Sequence, residues 1–190
     1  MAEAPLIIGV HGFKQSGKDT LANLLVEEYG YRRLAFADRV KDAIHIIFGI
    51  PKEYLYGSDQ DKQRPSGVRW KDLQEVVREK KDDQEVLSIR ELLQIFATEI
   101  CRSKIPSIWY RYLPLPEGER LVVSDLRFEN EADFLLSREA HLVKVLRPSV
   151  GGTSHESELG LSDERMHQVI LNDGSLNVFH ERIRSWMNSF

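Results

Sequence analysis

A single cysteine, Cys101, stands in 190 residues. It excludes an intramolecular disulfide and a cysteine-built zinc site, and it fits a reducing compartment. No apolar run approaches the ~20 residues needed to span a bilayer. The start, Met1-Ala2-Glu3-Ala4-Pro5, lacks the basic region of a secretory signal. Basic charge is also short: 26 Lys and Arg face 30 Asp and Glu, a formal net charge of −4. There is thus no general positive field for a nucleic-acid polymer. Internal repeats are absent too. These absences point to a cytoplasmic protein whose partners are neither membranes nor nucleic-acid polymers. What remains is ordinary for a globular chain, at 42% hydrophobic and 29% charged residues. The length predicts a single domain over residues 1–190 with a proper core.

The densest signal is Gly12-Phe13-Lys14-Gln15-Ser16-Gly17-Lys18-Asp19-Thr20. It follows the apolar run Leu6-Ile7-Ile8-Gly9-Val10 and precedes Leu21-Ala22-Asn23-Leu24-Leu25, so it reads as strand, glycine loop, helix. The spacing G-x-x-x-x-G-K is that of a P-loop, except that Asp19 stands where Ser or Thr is usual. Such a loop needs glycine so that successive backbone N–H groups close around phosphate oxygens, and the helix N-terminus adds positive partial charge. Lys18 can reach the β- and γ-phosphates. A carboxylate at position 19 is a hard oxygen ligand that can replace the usual hydroxyl on a metal, directly or through water. Thr20 offers a hydroxyl to phosphate. The bland alternative, a glycine turn with a surface lysine, does not explain why both glycines, the lysine and the helix start coincide.

Further strands are predicted at residues 31–36, 121–124, 141–146 and 169–171, and helices at 18–29, 39–48, 71–80, 88–102, 129–139 and 175–187. Residues 51–70 read as irregular, and the charged run at 78–83 as a solvated tip. Alternation of strands and helices predicts an α/β fold with a mostly parallel sheet covered by helices on both faces. Ligands of such sheets sit at the carboxyl ends of the strands.

Five groups of residues lie at those ends or on a helix that could face them. Asp125 follows the strand at 121–124, where an acid suits magnesium or its water shell, and Arg127 could neutralise a transferring phosphoryl group. A structural Asp–Arg pair is the alternative. On the helix at 88–102, opened by a capping box of Ser88 and Glu91, Arg90, Gln94, Thr98 and Arg102 fall on one face at ~100° per residue, opposite Leu92, Leu93, Phe96 and Ile100. Arginine forks fit phosphate and an amide can read a base edge, although a solvated polar face would look the same. Phe36, Asp38 and Lys41 follow the second strand; Asp38 could be only a helix cap and Phe36 only core. Arg147 stands at the base of a glycine-bearing stretch that suits a closing lid, about residues 147–160. His155 within it has no partner spacing and carries no assignment. Asn172-Asp173-Gly174 closes the last strand.

In this order, the Gly-Lys-Asp-Thr form of the P-loop, residues 36–43, residues 88–94 with Thr98-Glu99, Asp125-Leu126-Arg127-Phe128-Glu129-Asn130-Glu131, Arg147-Pro148, residues 155–158 and residues 172–175 resemble the phage-type deoxynucleoside monophosphate kinases. The likeness covers nearly the whole chain and is loosest over 50–87. It implies a three-layer P-loop kinase fold with a helical acceptor-side insertion at about 50–87 and the lid. It implies transfer of the ATP γ-phosphoryl to a deoxynucleoside monophosphate, with ATP and Mg2+ as cofactors. By the resemblance Gly12, Lys14, Gln15, Ser16, Gly17, Lys18, Asp19 and Thr20 serve ATP, with Asn172 and Gly174 near adenine. Asp19 and Asp125 would face the metal. Phe36, Asp38, Lys41, Arg90, Gln94, Thr98, Arg127 and Glu131 would line the acceptor site, and Lys18, Asp125, Arg127 and Arg147 would act in catalysis. Related kinases can be homodimers. Two rivals stay open at this point: a kinase of another small metabolite, of the dephospho-coenzyme A or phosphomevalonate type, and a non-catalytic nucleotide sensor.

Overall fold

A computed structural model describes residues 3–73, 84–148 and 161–190. In chain order the elements are β1 (Ile7–His11), α1 (Lys18–Tyr29), β2 (Arg32–Leu34), α2 (Phe36–Phe48), α3 (Lys52–Leu55), β3 (Pro65–Arg69) and β4 (Val86–Ser88). They continue with α4 (Ile89–Gln94), a π-helical segment (Ile95–Arg102), α5 (Ile108–Arg111), β5 (Leu121–Leu126), α6 (Glu129–Leu136), β6 (His141–Leu146), β7 (Gln168–Leu171) and α7 (Leu176–Met187). The chain divides into two compact units, Met1–Phe36 with Pro114–Phe190, and Ala37–Leu113. The acceptor-side insertion expected at about 50–87 falls within the second. No helix among the described residues is long and apolar enough to cross a membrane.

The first unit is a five-stranded sheet in the order β2-β5-β1-β6-β7. Every pairing is parallel, with Ile8 opposite Val122 on one side and His141 on the other. Ile8, Val10, Val122 and Val143 are fully buried, as central parallel strands require. Against them pack Leu21 and Leu25 of α1 and Phe179 and Ile183 of α7. Each such side chain contributes roughly 1.5–3 kcal/mol. Gly30, left-handed at φ 72°, sends its N–H back to the Leu25 carbonyl and stops α1. All five strands fall at the predicted positions, and β5 extends past residue 124, so Asp125 is still in the strand.

The second unit departs more from expectation. Residues 51–70, expected to be irregular, contain α3, a 3-10 turn at Asp61–Gln63 and strand β3, which pairs antiparallel with β4. Ser66 and Val68 of β3 are half-buried between exposed neighbours; a strand with so few apolar residues has little hydrophobic signature. Of the helix expected at 71–80, a 3-10 turn over Trp70–Leu73 is present, and residues 74–83 lie outside the described residues. α2 begins at Phe36 rather than 39, which puts Asp38 in its first turn instead of at the cap.

The helix expected at 88–102 begins as predicted, with the Ser88–Glu91 capping box formed. It then widens at Ile95 into i→i+5 bonding, continued by Ser103 N–H to the Thr98 carbonyl at 2.9 Å. The Trp109 indole N–H donates to the Ala97 carbonyl at 3.0 Å, inside the widened ladder. Leu92, Ile95 and Phe96 form the buried side, and Thr98 and Arg102 are half-buried. Phe96 packs edge-on to Phe48 and tilted against Trp109.

Candidate active site

β1 delivers the chain into a loop built on three positive φ angles: Gly12 at 153°, Gln15 at 64° and Gly17 at 109°. A Cβ at Gly12 would stand 2.6 Å from both Ser16 Oγ and the Val145 carbonyl oxygen, and one at Gly17 would stand 2.6 Å from Asn172 Nδ2. Glycine is required at both places by space as well as by conformation. Ser16 is 1% exposed, and its Oγ is buried without a hydrogen-bond partner among the described residues. Such a group inside a phosphate-shaped hollow fits a ligand oxygen. Lys18 Nζ lies across the loop and donates to the Phe13 carbonyl at 2.6 Å.

The ends of two other strands close on this loop. Asn172 Nδ2 donates to the Ser16 carbonyl at 2.8 Å, and Arg147 Nη1 to the Gln15 carbonyl at 3.3 Å. Together they border a cavity of about 330 Å³ lined by Lys18, Thr20, Arg147, Asn172, Gly174 and Leu176 among others. The loop, both cations and the β7–α7 turn thus share one concave surface, as the strand-end rule anticipates. Lys14 is exposed outside that lining. Of the expected lid, residues 149–160, including His155, lie outside the described residues.

Asp19 heads α1 and is paired with Arg33 of β2. Asp125 gives Oδ1 to the Phe36 N–H at 2.8 Å. That carboxylate therefore supplies the N-terminal bond of α2, which explains why the helix starts early. Phe36 itself is 3% exposed, so its ring is core and its role is packing. Glu131 is 1% exposed, and its Oε2 accepts from the N–H groups of Arg127 and Phe128 at 3.0 and 3.1 Å. It holds the strand exit in shape and has no surface of its own to offer, whereas Arg127 is exposed at that exit.

No group of three His, Cys, Asp or Glu among the described residues could hold a metal ion unaided. Asp19 and Asp125 still suit magnesium in kind, because that ion takes one or two carboxylates and completes its shell with phosphates and water.

The remaining candidates stand in the second unit. Arg90 donates to Asp59 at 2.5 Å. Lys41 pairs with Asp38 at 3.0 Å and lies 4.4 Å over the Tyr56 ring. The Tyr56 hydroxyl donates to Asp42 at 3.2 Å and to the Asp38 carbonyl at 3.3 Å. Burial first, and then the charges of Asp38 and Asp42, push the Tyr56 hydroxyl up to about 12, so it keeps its proton. Gln94 is exposed on α4 and Thr98 half-buried in the widened segment. Sequence reasoning missed Arg33, Tyr56 and Asp59; each gains its meaning from a partner distant in sequence.

The sequence profile of a family described as deoxynucleotide monophosphate kinase matches residues 47–183, well over half the chain. The deoxynucleotide monophosphate kinase of Enterobacteria phage T4 is 22% identical, covering 94% of this chain and 97% of its own. The deoxynucleoside-5'-monophosphate kinase of Escherichia phage T5 is 25% identical, over 91% and 92%. A provisionally named deoxynucleotide monophosphate kinase of Acanthamoeba polyphaga mimivirus is 28% identical over 97% of both chains. Among solved structures, dephospho-CoA kinase from Campylobacter jejuni aligns over 97% of this chain and 96% of its own at 15% identity and a TM-score of 0.46. The chain belongs to the deoxynucleotide monophosphate kinase family, and its activity is the phosphotransfer that family is named for.

Proposed function

We propose that the first unit binds ATP as its magnesium complex, and that the protein transfers the γ-phosphoryl group to a deoxynucleoside monophosphate held by the charged face of the second unit. The carrying observation is the shared cavity of the glycine loop, Lys18, Arg147 and Asn172. The loop N–H groups and Ser16 Oγ take the β-phosphate side. Lys18 swings from the Phe13 carbonyl onto the γ-phosphate, and the turn at Asn172 and Gly174 borders the base. Magnesium, held through Asp19 and through Asp125 or its water shell, would neutralise charge on the bridging oxygens.

In the second unit Arg90, released from Asp59, takes the acceptor phosphate as a fork, and Gln94 and Thr98 stand within reach of its nucleoside. Lys41, held by Asp38 over Tyr56, is a second cation for that phosphate. Arg127 and Arg147 brace the group in flight, and Glu131 acts through Arg127 by fixing its loop. The acceptor oxygen forms the new P–O bond as the bond to the β-phosphate oxygen breaks. No general base is needed, because the acceptor is already an anion; positioning and charge neutralisation carry the rate. Phage relatives support a host-cytoplasm setting.

An ADP-release panel tests this. Deoxynucleoside monophosphates should be phosphorylated, while dephospho-coenzyme A and phosphomevalonate should give only background. Turnover of a metabolite but of no nucleotide would overturn the acceptor assignment.

A further inference from the structure

Asp19 occupies the position where a P-loop ordinarily offers a hydroxyl, and its carboxylate does not stand alone. Arg33, on β2, uses all three guanidinium nitrogens. Nε donates to Ser124 Oγ at 2.9 Å, Nη1 to Asn23 Oδ1 at 3.1 Å and Nη2 to Asp19 Oδ1. Asp19 and Asn23 are one turn apart on α1, and Ser124 immediately precedes Asp125 on β5. Ser124 is 2% exposed, so one bond of the fork is anchored in the core. The planar guanidinium then has its remaining direction set, with Nη2 on Asp19. The contact faces solvent: the Asp19 side chain is 76% exposed and that of Arg33 37%. Arg33 is therefore firmly held at its base and exchangeable at its tip.

We propose that Arg33 is a positioning residue of the donor site, a built-in counter-ion that occupies the Asp19 carboxylate until a metal–triphosphate complex displaces it. The proposal rests on the reading of Asp19 as a metal-facing carboxylate. A lone carboxylate at the mouth of a phosphate loop has two defects: it repels the triphosphate, and it recruits free divalent cations. Arg33 corrects both. A free cation must displace the guanidinium with no phosphate ligands in return. A cation arriving on the triphosphate brings those ligands with it and completes its shell at Asp19. The arrangement makes the metal enter with the nucleotide rather than ahead of it. Between binding events Ser124 and Asn23 keep the guanidinium in place, so Asp19 regains its partner without a search.

Mn2+ titration followed by the loss of the free-ion EPR signal reads this without turnover, in the full chain, with Mn2+ alone and with Mn2+ plus a non-hydrolysable ATP analogue. Arg33→Gln keeps a polar group near Ser124 but removes the charge. It should bind free Mn2+ about three- to fivefold more tightly than wild type, the scale of an exposed ion pair. Arg33→Lys, which keeps the charge, should stay near wild type. The gain should vanish in the Asp19→Asn/Arg33→Gln double variant. Asp19→Asn alone should weaken binding of the Mn2+–analogue complex. If it does not, the metal reading of Asp19 fails. If it does, but Arg33→Gln leaves free Mn2+ affinity unchanged or Arg33→Lys tightens it equally, the counter-ion role fails alone. Should Arg33→Gln lose its thermal transition, Arg33→Met makes the same measurement.

Discussion

In the first unit, the groups proposed to face phosphate are fixed by backbone. Gly12, Gln15 and Gly17 hold the loop open, Asn172 and Arg147 brace its carbonyls, and β1 behind it is buried from Ile8 to His11. In the second unit the corresponding groups are side chains in exchangeable ion pairs, Arg90 with Asp59 and Lys41 with Asp38. A triphosphate tail is the same in every nucleotide, so a rigid cradle suits it and wastes no binding energy on ordering. An acceptor has to be admitted and released each turnover. In the proposed acceptor site Asp59 and Asp38 would act as stand-ins, carboxylates that occupy a cation until a phosphate takes over. Exposed pairs of this kind are weak enough to exchange.

The sharpest way to break this contrast is Lys18→Ala. Lys18 lies inside the rigid cradle, and its loss removes a charge that no neighbouring backbone group replaces. We expect kcat to fall by about 10²–10³. Thermal stability should change by no more than about 0.5 kcal/mol. Near-normal turnover by coupled ADP assay would show that the loop is not where the donor sits. A smaller effect separates the second unit. Arg90→Ala should raise KM for the acceptor about tenfold or more, as loss of a charged hydrogen bond does, with KM for ATP unchanged. Asp59→Asn should move the same constant the other way, by about two- to fivefold, because Arg90 loses its competitor. Equal shifts in both substrates would erase the difference between the units.

The same division governs what could be read in advance. The central strands β1, β5 and β6 were legible because parallel strands buried on both faces leave continuous apolar runs, and the loop was legible because its glycines and Lys18 are local in sequence. The Ser88 capping box is likewise a four-residue signal. What escaped depends on distant partners. α2 starts at Phe36 because Asp125, 89 positions away, accepts its N–H. The helix over residues 88–102 widens where the Trp109 indole takes the Ala97 carbonyl, and no periodicity within the helix foretells that. Arg32 and Arg33 are adjacent and identical in sequence. Strand alternation sends them to different partners, Arg32 to Glu119 and Arg33 to the Asp19–Ser124 network. The same dependence on distant partners puts Asp38 inside α2 rather than at its cap, and turns Phe36 and Glu131 inward.

The smallest effect concerns a titrating joint within the rigid half. His11, 4% exposed, ends β1 directly before Gly12. Its Nε2 accepts the Leu161 N–H at 3.3 Å, which fixes the proton on Nδ1, and Nδ1 donates to the Leu126 carbonyl at 3.0 Å. Burial pushes its pKa below the ordinary 6.5; Lys144 and Lys18 push the same way, against the Leu126 carbonyl and Asp163. A depressed folded-state value means the unfolded chain takes the proton first as pH falls. The stabilisation is complete above about pH 6.5 and is lost as pH drops below it, with a slope bounded by about 1.4 kcal/mol per pH unit for one proton. His141 is depressed in the same direction, by burial and then by His167, and adds to the slope. Melting temperature should therefore decline from pH 7.5 to 5.5. His11→Gln, whose side-chain oxygen can still accept from Leu161, should lower stability at pH 7.5 yet flatten the decline. An unchanged slope in that variant would mean that His11 is not the joint through which acid loosens the strand carrying the phosphate loop.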